Sequence, residues 1–82
     1  MVYVHPDAVV ELVKLEVTER QAVDNAILKL TALGPGLRFP HSSRVQGVKY
    51  DLRELRPRQG RSPTRALYSR VGDAFVVAAV GS

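Results

Sequence analysis

The sequence predicts an α+β domain: an N-terminal helical hairpin packed on one face of a three- to four-stranded antiparallel sheet. Three observations carry that reading. Apolar residues recur at helical spacing between Pro6 and Leu33. From Val48 onward the pattern changes to the two-residue alternation of strands, punctuated by Gly and Pro. Charge divides along the same line, acidic before residue 38 and strongly basic after it. At 82 residues the chain holds one domain, residues 1–82, with a core of modest size.

Val2 and Val4 alternate as in a short opening strand. Pro6 suits the first turn of a helix, where its missing N–H leaves no bond unmade. Val9, Leu12 and Val13 follow at i, i+3 and i+4, so residues 6–15 read as a short amphipathic helix. Thr18 and Gln21 have the spacing of a capping box. Ala22, Val23, Ala26, Ile27, Leu30 and Leu33 then make one stripe, which predicts a helix over 19–33. Gly34 and Pro35 stop it. About three residues separate the two helices, which predicts an antiparallel pair.

Residues 34–47 read as a loop. Val48, Tyr50 and Leu52 alternate with Lys49, Asp51 and Arg53, a half-buried strand over 48–56 in which Leu55 breaks step and predicts a bulge near Glu54. Pro57 ends that strand, residues 57–63 form a basic loop, and a second strand covers 64–70. Val71-Gly72-Asp73 turns the chain. Ala74 to Val80 is apolar on both faces, so it reads as an interior strand. Val23, Ile27, Leu30, Phe75 and Val77 are the expected core, and the sheet face away from the helices is expected to stay open and carry the arginines.

Composition narrows the function classes. There is no cysteine, which excludes disulfides and cysteine-based zinc sites and fits a reducing compartment. Two histidines far apart make no metal constellation, and no P-loop or dinucleotide glycine pattern is present; neither a metal nor a cofactor is expected. No segment resembles a signal peptide or a membrane span, so a soluble cytoplasmic protein is expected. In residues 1–37, Lys14, Arg20 and Lys29 oppose five carboxylates, net −2; in residues 38–82 nine cations oppose Asp51, Glu54 and Asp73, net +6. Six arginines fall between Lys49 and Arg70: Arg53, Arg56, Arg58, Arg61, Arg65 and Arg70. Such asymmetry points to a polyanion, nucleic acid first. The alternative is a solvated basic surface that only maintains solubility.

Three segments, Leu37-Arg38-Phe39-Pro40-His41-Ser42, Leu52-Arg53-Glu54-Leu55-Arg56 and Thr64-Arg65-Ala66-Leu67-Tyr68, taken in this order and spacing, resemble the phage-derived, HigB-like branch of the RelE/HigB/ParE toxins. The resemblance covers roughly residues 6–80. It implies the toxin of a type II toxin–antitoxin pair, a metal-independent endoribonuclease that cuts mRNA on the ribosome and is held by a cognate antitoxin of helix-turn-helix type. It implies no membrane and no small-molecule cofactor. Under it, Arg65 contacts the scissile phosphate, Arg56 lines the same face, and Tyr68 and His41 join them as catalytic candidates. Lys49, Arg53, Arg58 and Arg61 are candidate RNA-binding cations. In that family the last strand continues into a further segment bearing Lys, His or Tyr. This chain stops at Ser82, so the domain is expected to lack that segment.

Cleavage of this kind uses the ribose 2′-OH as nucleophile and needs a base, an acid and cations for the crowded phosphate. The planar arginine fork suits the last task. His41, Glu54 and Tyr68 are candidate proton carriers, each with a simpler alternative: a loop histidine, an ion pair with a neighbouring arginine, and a core tyrosine with a satisfied hydroxyl. For Arg65 the simpler alternative is a pair with Glu54 across the hairpin. Two further function classes stay open, a catalytically inactive binding module of the same fold and a ParE-like gyrase inhibitor.

Overall fold

In a computed structural model covering residues 1–82, strand β1 (Val2–Val4) leads directly into helix α1 (Pro6–Val13). Helix α2 (Val17–Leu33), β2 (Ser42–Arg44), β3 (Leu52–Leu55), β4 (Arg65–Val71) and β5 (Ala74–Gly81) follow, with short 3-10 turns at Gly34–Gly36 and Pro57–Gly60. The architecture is α+β, with one five-stranded sheet in the order β1-β5-β4-β3-β2. The sheet is larger than expected, and it is mixed. β5, β4, β3 and β2 are antiparallel in turn, whereas β1 lies parallel to β5, Val2 to Val4 facing Phe75 to Val77. β5 is therefore an interior strand, as its two-sided apolarity predicts.

The helices do not form a mutually packed hairpin. α1 packs chiefly on β5, while α2 packs against β1, β3 and the Pro57–Gly60 turn. The cause lies in how β1 ends. Its ladder closes with the His5 N–H donating to Val77 O at 2.8 Å, and Pro6, which has no N–H to offer, turns the chain into α1. β5 continues past β1, and there the Glu11 carboxylate accepts the Val80 N–H at 3.0 Å. α1 thus covers an edge that β1 is too short to protect. Ala8 is its one fully buried residue and Leu12 is half-buried, so Val9 and Val13, read as stripe residues, lie exposed.

α2 supplies the centre of the core with Val23 and Leu30, both fully buried, against Leu55, Ala66, Phe75 and Val77. Ile27 is only half-buried and Leu33 is exposed, so the stripe is narrower than its spacing predicts. The cap lies two residues upstream of Thr18: the Glu16 carboxylate accepts from the Thr18 N–H at 3.1 Å. At the other end Gly34, at φ +53°, donates its N–H to Leu30 O and stops the helix.

The bulge sits elsewhere than expected. Leu67 faces Ala79 and Tyr68 faces Val77, which leaves Ala78 of β5 without a partner. That extra residue inverts the alternation, so that Val77 and Val80, three apart, both point into the core. Residues 42–44, read as loop, are edge strand β2, and residues 48–51, read as strand, lie outside the sheet. No helix is long and apolar enough to cross a membrane.

Candidate nucleic-acid interface

Cross-strand register decides which face each arginine occupies. Arg44, Arg53, Tyr68 and Val77 stand opposite one another across β2, β3, β4 and β5, in one row on the core side of the sheet. Arg70 faces Phe75 on that same side. The basic residues are therefore not on the face away from the helices, as had been expected. That far face takes Tyr3, Leu52, Leu67 and Val76 by register, with Arg65 as its one strand cation. α2 covers the β1–β3 part of the core face through its contacts there, and the loop after Gly34 walls off the rest.

The result is a cleft of about 510 Å³ on the helix side. Arg38, Arg44, Arg53 and Arg70 line it, with Asp51 as the one carboxylate and Phe39 at its rim. The floor is the Tyr68 hydroxyl, which shares a 2.5 Å hydrogen bond with Ser42 Oγ. Arg53 Nε donates to Ser42 Oγ at 3.0 Å and to the tyrosine oxygen at 3.3 Å. Tyr68 is 2% exposed and meets Phe75 edge-on with ring centroids 5.8 Å apart. Arg53 is thus held by one nitrogen, and its two terminal nitrogens make no protein bond. Arg38 and Arg44 make no side-chain hydrogen bond or ion pair at all; Arg70 reaches the Gly72 carbonyl at 3.0 Å and Asp73 at 4.0 Å. Four cations around one carboxylate, with most of their donors free, form a site for anionic oxygens.

The remaining predicted residues divide between two other places. Arg65 donates to the Ser62, Thr64 and Gly60 carbonyls and approaches Glu54 Oε1 at 3.8 Å. Arg56 Nη1 lies 3.5 Å from the same Glu54 oxygen, and its Nε donates to Pro40 O at 3.1 Å. Ser43 Oγ also donates to Glu54, so this carboxylate ties β2, β3 and β4 together. His41 and Arg58 line, with Arg56 and Lys29, a smaller cavity of about 300 Å³ under α2. Arg58 is spoken for: it donates to Glu19 Oε2 at 2.6 Å and to the Thr18 carbonyl. Arg61 Nε donates to the Arg58 carbonyl, and Lys49 is exposed outside both cavities.

Glu19 is the hub of the basic loop. It accepts from Ser62 Oγ and Thr64 Oγ1 as well as from Arg58. These bonds, the Ser62 hydroxyl first, then Thr64 and Arg58, hold its carboxyl below the ordinary value near 4.5 against the opposing effect of burial. The loop itself carries two residues in the left-handed region, Arg58 at φ 55° and Gln59 at φ 60°. Gly60 lies at φ +90°, a conformation that L side chains rarely adopt, and a Cβ there would also have to displace the Arg56 guanidinium.

The sequence reading missed Arg38, Arg44, Arg70 and Ser42 as parts of one site. Reading 42–44 as loop hid the register that aligns Arg44 with Arg53.

Fold and cleft together define a small α+β domain with an arginine-lined cleft on the helix side of its sheet. Residues 10–81 match a family model described as Phage derived protein Gp49-like (DUF891), and the chain belongs to that family. It is a family of toxin-like proteins, associated with the toxins of toxin–antitoxin systems; there is no direct match to RelE or HigB. Comparison with curated proteins and with solved structures gives no significant match.

Proposed function

We propose that the protein is the toxin of a type II toxin–antitoxin pair and that it binds mRNA on the ribosome and cuts it, with the Arg38–Arg44–Arg53–Arg70 cleft as the site. The observation that carries this reading is the cleft itself: four arginines, most of their donors unused, around a buried tyrosine hydroxyl. A solvated surface that served only solubility would scatter such cations rather than gather them over a fixed floor. Membership of a toxin-like family supports the same class of function.

In the proposed reaction the 2′-oxygen attacks the adjacent phosphorus as its proton passes to a base. The bond to the 5′-oxygen breaks, and an acid protonates that oxygen, leaving a 2′,3′-cyclic phosphate and a 5′-hydroxyl. Arg53 and its three neighbours stabilise the charge gathering on the phosphate oxygens. Apart from the arginines, Asp51 and the Tyr68 hydroxyl are the titratable groups that line this cleft; His41 and Glu54 lie outside it. In this reading the phosphate contact falls to Arg53, while Arg65 and Arg56 build the hairpin that presents it. The partner is an antitoxin, of helix-turn-helix type by the family resemblance, and the setting is the cytoplasm.

Affinity for a single-stranded RNA oligonucleotide, measured by fluorescence anisotropy at several salt concentrations, tests the cleft. Each phosphate neutralised contributes a slope of about −0.7 in log K against log salt for single strands, so four arginines predict about −2.8. Arg38→Ala with Arg44→Ala removes cations that the fold does not use and should lower the slope to about −1.4. An unchanged slope in the double variant would place RNA elsewhere on the molecule.

A further inference from the structure

Phe39 stands out among the exposed apolar residues because of what lies on each side of it. Its ring is 71% exposed, on the loop that separates the two basic cavities. The Arg56 guanidinium lies over one face, 4.9 Å from the ring centroid. That guanidinium is itself pinned, by the Pro40 carbonyl at 3.1 Å and by Glu54 at 3.5 Å. Arg56 lines the smaller cavity and not the arginine cleft; Phe39 lines the arginine cleft and not the smaller cavity. Phe39 therefore lines the arginine cleft with most of its surface exposed and with a pinned cation over its ring.

An apolar ring held out of the core beside a cluster of phosphate-seeking groups has the two parts that single-stranded nucleic acid requires. Cations track the backbone, and a flat aromatic face receives a base. We propose that Phe39 is the stacking platform for one nucleobase of the RNA strand whose phosphates occupy the arginine cleft. The proposal rests on the reading of that cleft as an RNA site and adds what the arginines do not supply, contact with the base. Stacking on a ring is tolerant of base identity, so the platform favours single-stranded, unstacked RNA over a duplex without choosing a sequence.

Two probes separate the platform from the cleft: a fluorescently labelled single-stranded RNA hexamer, and inorganic polyphosphate, which carries similar charge and no bases. Phe39→Ala should weaken RNA binding roughly 5- to 150-fold and leave polyphosphate binding unchanged. Phe39→Trp should restore RNA affinity, and Phe39→Leu, equally apolar but without a ring, should not. Each variant is checked for an unchanged melting temperature, which the exposure of the ring leads one to expect. If wild type binds RNA and Phe39→Ala binds it equally well, the platform is refuted while the cleft stands. Equal losses for RNA and polyphosphate would also refute it, since Phe39 would then matter only to the shape of the cleft. A wild-type protein that binds neither probe overturns the cleft reading and the platform together.

Discussion

Arg65 and Arg53 show how two arginines on neighbouring strands come to different uses. Both sit in strands, and in the sequence Arg65 is the more conspicuous, placed between a basic loop and an apolar strand. Its donors reach three backbone carbonyls, and its Nε lies 3.8 Å from Glu54 Oε1. Arg53 keeps two nitrogens free over the Tyr68 hydroxyl. Sequence spacing cannot separate these fates, because they depend on which side of the sheet each residue takes and on which carbonyls a turn leaves unpaired. Glu19 is a similar case, since its partners Arg58, Ser62 and Thr64 lie about forty positions away in the chain. Its lowered pKa makes a prediction with a definite sign. The ionised form is favoured in the fold, so the stabilisation is full above the ordinary value near 4.5 and fades as pH falls through the lowered one. The difference in melting temperature between wild type and Glu19→Gln should therefore be constant near neutrality and shrink below about pH 4.5. A gap that stays constant down to pH 2 would show that Glu19 stabilises through shape and not charge.

At the scale of elements, what was legible followed burial. α2 and β5 were readable because each buries a long apolar pattern, and the chain honours it over most of its length. β2 was not, because Ser42-Ser43-Arg44 has no apolar alternation; it is a short polar edge strand, held by β3 and by the Ser42 and Ser43 hydroxyls. The parallel pairing of β1 was equally hidden, since three residues carry no signal of direction. The width of the α2 stripe is a matter of degree that mutation can measure. Leu30 is fully buried, so Leu30→Ala should destabilise by about 2–5 kcal/mol in urea unfolding. Ile27 is half-buried, and Ile27→Ala should fall clearly below that range. Equal losses at the two positions would mean that α2 is rotated further toward the sheet than described.

For the whole molecule, charge and fold are one arrangement. The acidic first half forms the helices, and its carboxylates serve locally: Glu11 on the β5 edge, Glu16 on the α2 cap, Glu19 on the basic loop. The basic second half builds β2 to β5, and four of its cations, Arg38, Arg44, Arg53 and Arg70, line the cleft on the helix side, while Lys49 stays exposed outside it. The α+β class and the division of charge were legible from composition and period. The location of the basic site on the helix side, and not on the open face, was not, because it depends on the register of an edge strand that local pattern does not announce. The central claim is that this cleft takes mRNA for cleavage. Mapping of RNA 5′ ends in a translating extract tests it most directly, with wild type and the Arg38→Ala, Arg44→Ala double variant compared at equal concentrations of folded protein. The account predicts new 5′-hydroxyl ends within translated mRNA for wild type and their loss, by at least about tenfold, in the double variant. Absence of new ends with wild type, or an undiminished set of ends with the double variant, would contradict it.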